Sequence, residues 1–286
     1  MNRLKIYVVS CLVVAVSMFL SASIFAQQEV STKVVGFVKV PVQTGTGQTL
    51  YFYSIPFQNI GEPVTKHYLN LDSDGNGVYE SASEMFSATH FAQGDFIRKF
   101  NRANGKFDRI AQFFNANPPS YPIAGWYEQT PPFFFWTPST MYFEDGEGFL
   151  AKYVSAPDTR NELFFLGEVK DVDVEIPIIA GYNLLGNPFP ANITVNNAFN
   201  TTTGSPTAGI SSDPFGTGDF IRAGYNGSAW QRLIVYFDQG TGPKWFEQKP
   251  PFFFWVESDL ELKPTEAFLY YARTPFTWAA PSPLEE

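Results

Sequence analysis

Trp126-Tyr127-Glu128-Gln129-Thr130-Pro131-Pro132-Phe133-Phe134-Phe135-Trp136 returns 119 residues later as Trp245-Phe246-Glu247-Gln248-Lys249-Pro250-Pro251-Phe252-Phe253-Phe254-Trp255. The recurrence continues downstream, where Gly148-Phe149-Leu150 matches Ala267-Phe268-Leu269. Upstream, Gly94-Asp95-Phe96-Ile97-Arg98 returns as Gly218-Asp219-Phe220-Ile221-Arg222 at offset 124. Ile55-Pro56-Phe57 aligns with Asn187-Pro188-Phe189 at offset 132, and Gly36-Phe37-Val38-Lys39 with Gly167-Glu168-Val169-Lys170 at offset 131. Blocks in one order at a nearly constant spacing mean two copies of one unit. The falling offset locates the segments that copy two lacks, and length changes collect in surface loops.

Each unit reads as strands and turns. Val34–Val42 and Leu50–Ile55 are strand-like, and Gly45-Thr46-Gly47 between them is a turn. Asp95–Phe100 and Phe107–Phe113 flank Asn104-Gly105, as Asp219–Tyr225 and Ala229–Phe237 flank Asn226-Gly227, and Asn-Gly is a hairpin signal. Glu147–Tyr153 and Glu266–Arg273 close the units. Asp171, Asp173 and Glu175 alternate with Val172, Val174 and Ile176, a strand with one wet face. Only Asn196–Phe199 and Ser81–Phe86 suggest short helices. The expected fold is all-β: two tandem homologous antiparallel β-sandwich or open-barrel domains after a signal peptide. Their bounds are 27–156 and 163–274, with a linker at 157–162 and a loose, proline-rich tail at 275–286.

Composition agrees with this. Aromatics make up 17% of the 286 residues, and charged residues only 16% against roughly 25% in ordinary domains. Gly and Pro number 22 each, which supplies turns. Residues 1–26 read as a secretory signal: Arg3 and Lys5 come first, Ile6–Leu20 is almost wholly apolar, and Ser21–Ala26 is rich in small residues before cleavage after Ala26. That apolar run is short for a spanning helix, so the mature chain is expected to have no transmembrane span. Cys11 is the only cysteine, so the mature chain has no disulfide or thiolate chemistry. The net charge of −9 without a basic run argues against nucleic acid as a partner.

Gly181-Tyr182-Asn183-Leu184-Leu185-Gly186-Asn187-Pro188-Phe189-Pro190, Gly218–Arg222, the Tyr225–Trp230 turn and Pro264–Leu269 together resemble a β-repeat of exported, largely uncharacterised proteins of environmental bacteria. The resemblance covers most of both copies. It implies an all-β envelope protein and brings no activity or catalytic residues.

Three groups of residues suggest chemistry. Asp72-Ser73-Asp74-Gly75-Asn76-Gly77-Val78-Tyr79-Glu80 has the donor spacing and central glycine of the first half of a calcium loop. Its candidate Ca2+ set is Asp72, Asp74, Asn76, Val78, Glu80 and Glu84, although Ser83 stands where the final bidentate acid belongs. The aromatic blocks offer Trp126, Tyr127, Trp136, Trp245, Phe246 and Trp255 as core side chains, as anchors for a partner, or as platforms for glycan rings. Three consecutive Phe on a strand point to both faces, so either both are covered or one is an exposed patch. Glu128 and Glu247, like Asp95 and Asp219, recur in both copies, which suits a shared structural task better than acid catalysis. His67 and His90 read as solvated loop side chains. No hydrolase elbow, zinc-protease motif, phosphate loop or dinucleotide fingerprint occurs. The expected function is a non-enzymatic exported structural protein, in the periplasm, at the cell surface or outside the cell. Its partners are itself or other envelope proteins. A glycan-binding module is the first alternative and a carbohydrate-active enzyme the second.

Overall fold

The computed structural model describes residues 34–41, 49–58, 66–71, 81–83, 86, 91–130, 135–154, 162–200, 214, 218–249 and 254–284. The signal segment 1–26, the calcium-like loop with Glu84, His90, the linker residues 157–161 and both Pro-Pro-Phe-Phe segments lie outside the described residues. Among the described residues no helix is long and apolar enough to cross a membrane.

The first half contains β1 (Val35–Pro41), β2 (Thr49–Ser54), β3 (Lys66–Tyr68), β4 (Asn70–Leu71), β5 (Ser81–Ala82) and β6 (Phe96–Asn101). It continues with β7 (Lys106–Phe114), β8 (Gly125–Thr130), β9 (Phe135–Pro138), β10 (Tyr142–Glu144), β11 (Gly148–Tyr153) and β12 (Glu162–Glu168). The second half contains β13 (Val174–Ile178), β14 (Gly181–Gly186), β15 (Ile193–Thr194), the one-turn helix α1 (Val195–Ala198), β16 (Phe220–Tyr225) and β17 (Trp230–Asp238). It ends with β18 (Pro243–Lys249), β19 (Phe254–Glu257), β20 (Glu261–Leu262), β21 (Ala267–Ala272) and β22 (Phe276–Ala280).

Two antiparallel six-stranded sheets dominate, ordered β2-β11-β6-β7-β8-β9 and β14-β21-β16-β17-β18-β19. The central hairpins turn where the Asn-Gly pairs stand. Asn101 and Asn104 accept backbone N–H bonds from Ala103 and Lys106, and Asn226 accepts from Ser228 and Ala229. A two-stranded ribbon covers one face of each sheet, β1–β12 in the first half and β13–β22 in the second. In the first, Val38, Val40 and Phe165 close over Tyr53, Ile97, Phe113, Trp126 and Phe149. In the second, Val174, Ile176, Ile178 and Trp278 close over Leu185, Ile221, Ile234, Trp245 and Phe268. Each half is thus a β-sandwich. Burying each such side chain is worth roughly 2 kcal/mol, which is what holds the layers together.

Four expectations need correction. Of the 275–286 tail, the described residues 275–284 are not loose: β22 pairs with β13, and Trp278 is fully buried under the second sheet. The tail's prolines flank this strand rather than break it. The Gly36 and Gly167 blocks are not equivalent positions: Gly36 faces Gly167 across the β1–β12 ladder, and β13 takes the place of β1. Residues 163–168 therefore complete the first half instead of starting the second. Ser81–Ala82 is strand β5, paired with β4, rather than a helix start.

The halves meet through the β2 and β14 ends of their sheets. Ser54 N–H donates to the Thr265 carbonyl at 2.9 Å, and Gly186 N–H donates to the Gly146 carbonyl at 3.0 Å. Ser54 and Gly186 are equivalent, as are Gly146 and Thr265, so the two bonds are related by a local two-fold. The bridges Tyr53–Glu266 and Leu185–Glu147 repeat the relation. Phe52 packs edge-on against Tyr225 at 4.7 Å and over Trp230 at 4.8 Å, while Leu184 joins the cluster with Phe100 and Phe107. A Cβ on Gly186 would overlap the Ser54 side chain, so only one of these equivalent positions carries a side chain. Gly146 and Thr265 both adopt φ of 67°, a conformation that suits glycine and strains a β-branched residue.

Gly186→Ser will lower stability by about 2 kcal/mol through overpacking, and adding Ser54→Gly will restore most of it. Thr265→Gly will raise stability by about 1 kcal/mol by relieving the left-handed strain. Denaturant midpoints of the purified variants check both.

Candidate functional site

The recurrent aromatic block lies on β8–β9 and β18–β19, at the sheet ends opposite the contact between the halves. Trp126 and Trp245 are 0% exposed, so neither is a glycan platform. Their polar contacts match. The indole N–H of Trp126 donates to the Phe86 carbonyl and that of Trp245 to the Phe199 carbonyl. Their backbone N–H groups donate to Asn70 and Asn196. Ser139 and Ser258 N–H groups donate to their carbonyls, each at 2.8 Å. Tyr127 and Phe246 are buried on the other face. There Tyr127 packs with Phe114 and Tyr121, and Phe114 with Trp136, while Phe237 packs with both Phe246 and Trp255. Trp136 and Trp255 are half-buried.

Among the described residues of the block, the large apolar side chain most exposed to solvent is its third phenylalanine. Phe135 is 73% exposed and Phe254 is 70% exposed, at matching places on the outermost strands β9 and β19. Both lie in the recurrent block, each just before a half-buried tryptophan. Alternation on a short edge strand supplies the reason: Trp136 and Trp255 turn onto the ring clusters, so their neighbours turn away. The β1–β12 ribbon also shows apolar side chains outward, with Phe37 opposite Leu166. At the matching ribbon the outward residues include Glu175 and Thr277.

The recurrent acids are held by hydrogen bonds within the fold. Arg109 donates to Glu128 through Nε at 3.0 Å and Nη2 at 2.7 Å, and Ser139 Oγ donates to the same carboxylate at 2.8 Å. Arg232 grips Glu247 in the same two-pronged way and also reaches Asp259. Asp95 accepts from Ala92 and Val154 N–H groups, and Asp219 accepts from Arg273 N–H and the Tyr270 hydroxyl. Each aspartate thus caps the C-terminal end of the second strand of its sheet, β11 or β21. Clefts of about 260 and 300 Å3 lie beside the two arginines, the first holding Arg232, Glu261 and Glu266, the second Lys99, Arg109 and Glu147. In the second, Lys99 pairs with Glu147 at 3.1 Å.

His67 is not a solvated loop residue. It sits on β3, 1% exposed, with Nε2 3.0 Å from Asp145 Oδ1. Lys170, 4% exposed, lies 3.2 Å from the same oxygen. These three come from distant parts of the chain, and no spacing in the sequence links them. Among the described residues no group of three or more His, Cys, Asp or Glu side chains could hold a metal ion. No family model, curated protein or solved structure matches the chain.

Burial pushes the Asp219 carboxyl up to about 6, against the opposing pull of the Arg273 N–H and Tyr270 hydroxyl bonds. A carboxyl raised in the folded state contributes stability that is complete below its ordinary 3.8 and is lost as pH rises through about 6. That loss will be roughly 2–3 kcal/mol, and Asp219→Asn will lack it. Denaturant midpoints of both proteins from about pH 4 to about pH 7 measure the difference.

Proposed function

We propose that the chain is a non-enzymatic structural protein of the cell envelope or extracellular space that associates with further copies of itself. The observation that carries this reading is the matched exposure of Phe135 and Phe254 on the outermost strands of the two sheets. A large aromatic held mostly in water marks a contact surface, and edge strands carry backbone groups that can pair with another chain. Two equivalent edges make each chain bivalent, and bivalent contacts between like surfaces propagate. A second copy is the favoured occupant because this unit already packs against its like: its opposite sheet end does so within one chain. Support for export comes from the signal-like segment 1–26 and from the resemblance to exported β-repeats.

Light scattering of residues 27–286 will show assemblies that grow with concentration. Phe135→Ser combined with Phe254→Ser will reduce them to monomers, and either change alone will stop growth at dimers. A wild-type chain that stays monomeric up to about 100 μM, well above the usual range of specific contacts, would sink the proposal. Repeating the run with calcium and then chelator tests whether the 72–84 loop contributes.

A further inference from the structure

His67, Asp145 and Lys170 form a small, largely buried cluster of ionisable side chains. Asp145 stands in the turn between β10 and β11, Lys170 two residues beyond β12, and His67 on β3. The Asp145 side chain is 12% exposed. Lys170 Nζ is 3.2 Å from Asp145 Oδ1 and also donates to the Pro188 carbonyl at 3.1 Å. His67 Nε2 is 3.0 Å from Oδ1, and its Nδ1 is buried with no partner among the described residues, so Nε2 is the nitrogen placed to donate to that oxygen.

An ammonium and a carboxylate taken out of water lose solvation that their attraction only partly offsets. Burial lowers the Lys170 pKa, against the opposing effect of Asp145. A neutral amine is a nucleophile, and a fixed neighbour acts at very high effective concentration. Exclusion of water also removes the reagent that would reverse the product.

We propose that Lys170 and Asp145 condense within the folded chain to an amide bond that ties the β10–β11 turn of the first half to the segment connecting the two halves. One proton passes from the Lys170 ammonium to Asp145 Oδ1. The Nζ lone pair then forms a bond to Asp145 Cγ. A second proton follows from Nζ to Oδ1, the Cγ–Oδ1 bond breaks, and one water leaves. Nothing is oxidised or reduced, and no cofactor is consumed. Pro188 holds the amine in place, and His67 holds the departing oxygen by donating a hydrogen bond to it. The inference rests on these side chains alone, so it stands independently of self-association.

The test is the intact mass of the purified, unfolded chain after its N-terminus has been determined, followed by peptide mapping. The wild-type chain will be lighter than its sequence by one water. A protease digest will yield a branched peptide joining the Asp145 and Lys170 segments. Lys170→Arg and Asp145→Ala will have their full masses. His67→Ala will leave a mixture of full and water-depleted chains. A wild-type chain of full mass, shown to be folded by its cooperative melt, overturns the proposal. So does a water deficit that persists in Lys170→Arg, which would mean that Asp145 has closed on the Gly146 nitrogen instead. If the variants fail to fold, the branched peptide from the wild-type chain decides alone.

Discussion

The contact between the halves depends on backbone hydrogen bonds made twice around a local two-fold, Ser54 to Thr265 and Gly186 to Gly146. Backbone groups at the end of a sheet need partners, and an exposed row of them invites disorderly pairing. Here each sheet meets the other at that end. The bonds require the backbones to approach closely, and the close approach sets which residues fit. Ser54 fills the space that a side chain on Gly186 would need, so the symmetry of the backbone forces asymmetry in the sequence.

The same principle governs the aromatic block. Trp126 and Trp245 are large and polar at one atom, so burying them requires an acceptor for the indole N–H. Each half provides a backbone carbonyl, from Phe86 and from Phe199. Asn70 and Asn196 anchor the tryptophan backbones, and the Arg109–Glu128 and Arg232–Glu247 pairs lie beside them. The conspicuous sequence repeat is therefore mostly a description of how two cores are built. Among its described residues, the large apolar side chain that it turns outward is one phenylalanine per copy at a sheet edge.

The sandwich halves were legible because their signals are local. Asn-Gly turns, alternating strands and the recurring blocks depend on neighbours in the chain, and the hairpins β6–β7 and β16–β17 fall where those residues place them. The closing ribbons were less legible. β12 and β22 have no shared sequence block, and prolines near Trp278 suggested a loose end, yet long-range burial under the second sheet fixes β22. The aromatic block stood out while its exposed member did not, because edge position is a property of the sheet. The cluster of His67, Asp145 and Lys170 left no trace in sequence. It is assembled by β3, a turn and a segment beyond β12, and only the fold makes them neighbours.

In each half the first and last strands are antiparallel partners: Val35 faces Glu168 in one ribbon, and Val174 faces Ala280 in the other. The chain thus leaves a unit beside the point where it entered. A module of that kind can be strung onto another through a short connection without rethreading either one. Gene duplication then adds a complete, self-closing body in a single step, and the length of such a chain is free to change by whole units.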